Sequence, residues 1–158
     1  MNLDDLERMF AQIDEPLTFV RRPDPVPGDL RFGWRFSVLT LILNHCYRRT
    51  ANLQQVHFLS WAIKSRESRD LVARVLSGKR RPEDIIVRYD PSLSRTLGLA
   101  QKFSLVHRNN NQTISLAQQG LILASEILRQ SELLVAEKDF LNRFPAKITQ
   151  SYVRDLVG

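Results

Sequence analysis

The sequence predicts a mainly α-helical protein with a small β-hairpin, a winged helix-turn-helix domain carrying extra helices at both ends. Three observations predict it. The order helix, strand, turn, strand, helix can be read between Leu93 and Leu128. Two apolar-striped helices separated by a short polar turn precede it, the start of a helix-turn-helix. The apolar content of 43% over 158 residues is enough to build one core, and it sits outside the compositional range of disordered chains.

Taken in order, residues 1–15 read as an amphipathic helix. Leu3, Leu6, Met9, Phe10 and Ile13 recur at helical spacing opposite a set of acids. Such a stripe at a chain end must be covered, so these five residues are candidates for a partner-docking face. Residues 16–31 hold Pro16, Pro23, Pro25 and Pro27, which oppose helix and favour stiff extended chain. The domain proper is expected over 32–130, with a helical extension over 131–158.

Within it, the run Gly33–Arg48 is too apolar to have one wet face, so a central helix buried on two sides is predicted, with Arg48 and Arg49 in its last turn. Asn52 and Gln55 have the spacing of a capping box for the helix carrying Leu53, Val56, Leu59 and Ile63. A third helix over Glu67–Leu76 should stop at Gly78. Ile85–Tyr89 reads as a short buried strand, β-branched at its start. Asp90-Pro91-Ser92 opens the next helix, which should bury Leu93, Leu97 and Ala100 while exposing Ser94, Arg95, Gly98, Gln101 and Lys102. Leu105–Arg108 and Gln112–Ser115 form the hairpin, and Asn109–Asn111 supply residues that tolerate positive φ at its tip. Leu116–Leu128 and Glu132–Phe144 are helical, the latter stopped by Pro145, and an amphipathic tail follows.

The formal charge of +6 is unevenly spread. Residues 64–108 carry eleven Lys and Arg against five acids, whereas residues 1–15 carry one Arg against five acids. A basic face over the predicted helix-turn-helix points to double-stranded DNA. Arg88, Arg95, Gln101, Lys102 and Arg108 are the candidate DNA contacts, Gln101 being able to reach a base edge and the cations a phosphate. The set is thin in base readers, so phosphate contact with little sequence choice is expected.

Chemistry at a small-molecule site is not expected. His45, His57 and His107 lie on separate elements without partners at metal-ligand spacing, so no metal or other cofactor is predicted. Gly78-Lys79 lacks the upstream glycine of a phosphate loop. Asp84 and Asp90 read as a loop charge and a helix cap rather than an acid–base pair. Cys46, the lone cysteine, belongs to an apolar run and predicts a buried thiol. The acidic start of the chain does not resemble a secretory leader, and no run is long enough for a bilayer span, so a cytoplasmic location is expected.

Four stretches also resemble a known family. Phe32-Gly-Trp-Arg-Phe-Ser-Val-Leu-Thr-Leu-Ile-Leu43, Ala51-Asn-Leu-Gln-Gln-Val-His-Phe-Leu-Ser-Trp-Ala-Ile63, Arg80-Arg-Pro-Glu-Asp-Ile-Ile-Val-Arg-Tyr-Asp-Pro-Ser-Leu93 and Gly98-Leu-Ala-Gln-Lys-Phe-Ser-Leu-Val106 look like the middle components of bacterial ABC-three-component systems. The likeness covers roughly residues 32–125. The Lamassu anti-phage systems are similar in layout. The resemblance implies a winged-helix small subunit that bridges an SMC/RecN-like ABC ATPase and a nuclease-like effector, and it transfers no catalytic residue. Two features depart from the pattern: the Asn109–Asn111 tip, and Gln118-Gln119-Gly120 where Glu-Lys-Gly is usual after a wing. The other reading of the residues is a stand-alone transcriptional regulator, with the segment Glu132–Val157 available to form a homodimer.

Overall fold

The computed structural model describes residues 28–158. The predicted amphipathic segment with Leu3, Leu6, Met9, Phe10 and Ile13, and the connector up to residue 27, lie outside the described residues.

Helix α1, Gly28–His45, runs through the middle of the domain. It starts five residues before the predicted Gly33, so residues 28–31 of the expected connector are helical. Val38, Leu39, Leu41, Ile42 and Leu43 are all buried, as a helix enclosed on two sides requires. It packs against α2 (Leu53–Lys64), α4 (Ser92–Lys102), α5 (Gln118–Arg129) and α6 (Val135–Asn142). The helix ends at His45, earlier than expected, because Cys46 turns extended and its backbone bridges to Ile148. Arg48 and Arg49 therefore leave the helix. Both occupy the left-handed region, with φ of 55° and 54°, in a short turn.

That turn feeds β1, Thr50–Ala51, where the sequence predicts only a short polar turn between two helices. Two residues are too short to show alternation. Asn52 then caps α2 as its spacing predicts: the Gln55 amide donates to Asn52 Oδ1 at 2.8 Å, and the Asn52 amide donates to Gln55 Oε1 at 2.8 Å. Ser65, in extended conformation, separates α2 from α3 (Arg66–Leu76) and accepts from the Ser68 amide at 3.1 Å. Gly78, at φ +75°, closes α3, and the next amide, Lys79, donates to Arg74 O at 2.8 Å.

Residues 85–89 do not form the predicted strand. Ile85 is buried, but Ile86 and Tyr89 are 75% and 69% exposed. No ladder forms along the segment, and an unpaired segment is not a strand whatever its propensity. Tyr89 stacks on His57 instead, ring centroids 5.0 Å apart.

Strands β2 (Val106–Arg108) and β3 (Ile114–Leu116) form the hairpin, and β1 adds to the free edge of β3, giving an antiparallel sheet of order β1-β3-β2. The positive-φ residue of the tip is Gln112, φ 66°, and not one of the asparagines. The asparagines act through their side chains. Asn109 Nδ2 donates to Thr113 Oγ1 at 3.0 Å and to Ser115 Oγ at 2.7 Å, and Asn111 Oδ1 accepts from the Thr113 amide at 3.2 Å. Helix α5 begins at Gln118 rather than Leu116, which stays in the sheet. Gly120 explains itself at this junction: a Cβ there would sit 2.0 Å from Leu105 O.

The C-terminal segment does not stand apart as a spare docking face. Helix α7, Gln150–Val157, packs on α2, with Val153 and Leu156 buried, and Ile148 is buried beside Cys46. The Ile148 carbonyl accepts from the Tyr47 amide at 2.9 Å, and the Ile148 amide donates to His45 O at 3.0 Å. The apolar stripe of the tail is spent in the chain's own core. Leu133 and Val135, about half exposed, are what the segment leaves on the surface.

Candidate nucleic-acid interface

Helix α4 is placed by polar contacts at its first turn. Asp90 Oδ1 accepts from the Ser92 amide at 2.9 Å and from Ser92 Oγ at 2.5 Å. Arg35 of α1 reaches across and donates through Nη1 to the same Ser92 Oγ at 2.5 Å. Lys64, at the end of α2, lies 3.7 Å from Asp90 Oδ2. The hydrogen bonds from Ser92 hold the Asp90 carboxyl below the usual aspartate range, with smaller help from Lys64 and Arg35. Ser92 thus links α4 to α1 through Arg35, and Asp90 faces α2 through Lys64.

The burial of α4 follows the predicted pattern. Leu93 and Ala100 are buried and Leu97 is half-buried, whereas Ser94, Arg95, Gly98, Gln101 and Lys102 face solvent. Thr96, which the apolar pattern passes over, is buried as well, and its hydroxyl donates to Ser92 O at 3.0 Å. Arg95 and Lys102, seven positions apart, share one helix face.

All five candidate DNA contacts are exposed, but they do not form one cluster. Gln101 and Arg108 come together across a groove of about 150 Å³ between α4 and the hairpin, which Ser94, Leu97, Gly98 and Leu53 also line. Leu53 was not a candidate, because its place at the start of α2 gives no hint that the hairpin lies beside it. Arg88 is elsewhere. It borders a separate hollow with Trp61, Ser65 and Tyr89 at the α2–α3 break. Among the described residues, Arg88, Arg95, Lys102 and Arg108 form no ion pair with a carboxylate, in contrast to Arg66, Arg80 and Arg129, each of which pairs within its own local segment. Unneutralised guanidinium and ammonium groups attract a polyanion more strongly than paired ones.

The histidines divide as their surroundings dictate. His45 places Nδ1 2.8 Å from Leu41 O and Nε2 3.3 Å from Asn142 Oδ1; both oxygens accept, so the N–H of a neutral ring serves one of them. His107 is exposed on β2. The described residues contain no group of three His, Cys, Asp or Glu able to hold a metal ion, and none of their helices is long and apolar enough to cross a membrane. Burial pushes the Cys46 thiol up to about 12.

No family model, curated protein or solved structure matches the chain.

Proposed function

We propose that the chain is a non-catalytic winged-helix adaptor in a bacterial anti-phage defence complex. It bridges an SMC/RecN-like ABC ATPase and a nuclease-like effector, and adds auxiliary, weakly sequence-selective contact to double-stranded DNA. The observation that carries the reading is the order of elements around the hairpin. Helix α4 leads directly into β2 and β3, and β1 closes the free edge of β3 from the stretch between α1 and α2. This order supports the winged helix-turn-helix reading, in which α4 is assigned the recognition role. The exposed cations on α4 and the hairpin, which pair with no carboxylate among the described residues, support DNA contact, and the scarcity of base readers on the same helix favours phosphate over sequence. The four-stretch resemblance to the middle components of ABC-three-component systems supplies the adaptor role, and the acidic amphipathic residues Leu3–Ile13 supply the docking element.

The test is affinity purification of the tagged full chain from its native host under low salt. Stoichiometric recovery of a large coiled-coil ABC ATPase, lost when residues 1–15 are removed while the remaining chain keeps its melting transition, supports the adaptor. Recovery of the chain alone, as a homodimer that selects one operator sequence, replaces the adaptor with a stand-alone regulator.

A further inference from the structure

On the side of the hairpin away from α4 lies an open cleft of about 640 Å³ between the Tyr47–Arg49 turn, the Asn109–Asn111 tip and the start of α7. Among the described residues, no carboxylate lines it. It is walled by a cation, Arg48, an aromatic ring, Tyr47, and a row of amides, Asn109 to Asn111 and Gln150. Tyr47 is 54% exposed, a large fraction for a ring this close to the core, and the Arg48 guanidinium lies over it, 5.4 Å from its centroid.

Two features show the walls to be built rather than accidental. Arg48 and Arg49 are consecutive side chains in the left-handed region, a conformation that residues with a Cβ avoid and that gathers at ligand sites. The surrounding chain holds them there, since Tyr47 N–H is bonded to Ile148 O and Arg49 N–H to Cys46 O. The tip opposite is fixed by the Asn109 and Asn111 side-chain bonds, and Asn110 takes part in none of them.

We propose that this cleft binds one or two unpaired nucleotides of single-stranded nucleic acid, with Tyr47 as the stacking ring, Arg48 on phosphate, and Asn110 and Gln150 on base edges. A duplex keeps its base faces stacked inside, so it offers nothing to an exposed ring, whereas a single strand presents face, edge and phosphate together. The volume suits a small polar ligand of this size. The site uses none of the cations on α4 and stands whether or not the adaptor reading does. The hairpin then separates two nucleic-acid faces, one for duplex and one for an unpaired strand.

The experiment is fluorescence anisotropy of the full chain with labelled oligo-dT of about 15 nucleotides and with a duplex of equal length, both at low salt. Binding of oligo-dT is expected, weakened roughly tenfold by Tyr47→Leu and by Arg48→Asn, and less by Arg95→Ala/Lys102→Ala than by either cleft variant. Asparagine keeps the left-handed turn and removes the charge. If either variant lowers the melting temperature, Asn110→Asp takes its place: it lies outside the turn, and its added carboxylate is expected to weaken oligo-dT binding several-fold. No binding of oligo-dT at low salt overturns the proposal, and so does binding that responds to the α4 variant but to none of the cleft variants. Duplex binding lost with Arg95→Ala/Lys102→Ala reports on the α4 face alone.

Discussion

Gly120 presses its backbone against the carbonyl of Leu105, so closely that a Cβ on Gly120 would lie 2.0 Å from that oxygen. The same carbonyl accepts from the Ala117 amide at 3.0 Å. The start of α5 is therefore docked flat on the residue that leads into β2. Gly120→Ala cannot be absorbed by a side-chain rotation, since the obstacle is backbone. It is expected to cost about 2–3 kcal/mol or more, read as a fall in the urea midpoint. Gly98→Ala is the control. It sits in α4 with nothing within 4 Å of the new methyl, and should stabilise the protein by about 0.5–1 kcal/mol.

The Ile148 side chain is 1% exposed beside Cys46, and its backbone ties the C-terminal segment to α1. Ile148→Ala is expected to cost about 2–5 kcal/mol, measured by chemical denaturation. Removal of residues 146–158 should abolish the cooperative transition altogether. A truncated chain that melts like the intact one would show that α7 is dispensable to the core.

Asp90 connects pH to stability. Its folded carboxyl lies below the ordinary aspartate value, so its contribution is present above about pH 4 and is lost as pH falls through the folded value. Asp90→Ala should destabilise at neutral pH, and the gap to the wild type should close on acidification. A gap constant from pH 7 to pH 3 would show that the charge of Asp90 does not matter to the fold.

Cys46 gives the opposite slope. Its thiol ionises near 12 in the folded chain against about 9 unfolded, so burial favours the folded state up to the unfolded value, and that advantage is lost as pH rises through 9 toward 12. The wild type should lose more stability than Cys46→Ala across this range. At neutral pH a thiol reagent should label Cys46 only as fast as the chain unfolds, because the thiolate is scarce and the sulfur is 1% exposed.

Duplex DNA binding through α4 and the hairpin should be steeply salt-dependent. Contacts by Arg95, Lys102 and Arg108 would give a slope of log K against log salt of about −3. Arg95→Ala/Lys102→Ala should reduce its magnitude by about 2, with equal loss on unrelated sequences. A slope unchanged by the double substitution removes α4 from the interface.

The local determinants were legible in the amino-acid order. The Asn52–Gln55 box, the Gly78 stop, the Asp90-Pro91-Ser92 start of α4 and the exposed strip from Ser94 to Lys102 each depend on residues within a few positions of one another, where sidedness and capping act. The three-dimensional fold alone decided the rest, because each case depended on a partner distant in sequence. Ile85–Tyr89 has the composition of a strand but no neighbour to pair with, while Thr50–Ala51 has almost no pattern and becomes a strand because β3 offers an edge. Arg48 and Arg49 leave the helix because Cys46 joins Ile148, about a hundred residues away. Gly120 is fixed by the Leu105 carbonyl, and Arg88 parts from Arg108 because the α2–α3 break holds it elsewhere. Periodicity tells which side of an element is apolar, and only the packed chain tells what lies against it.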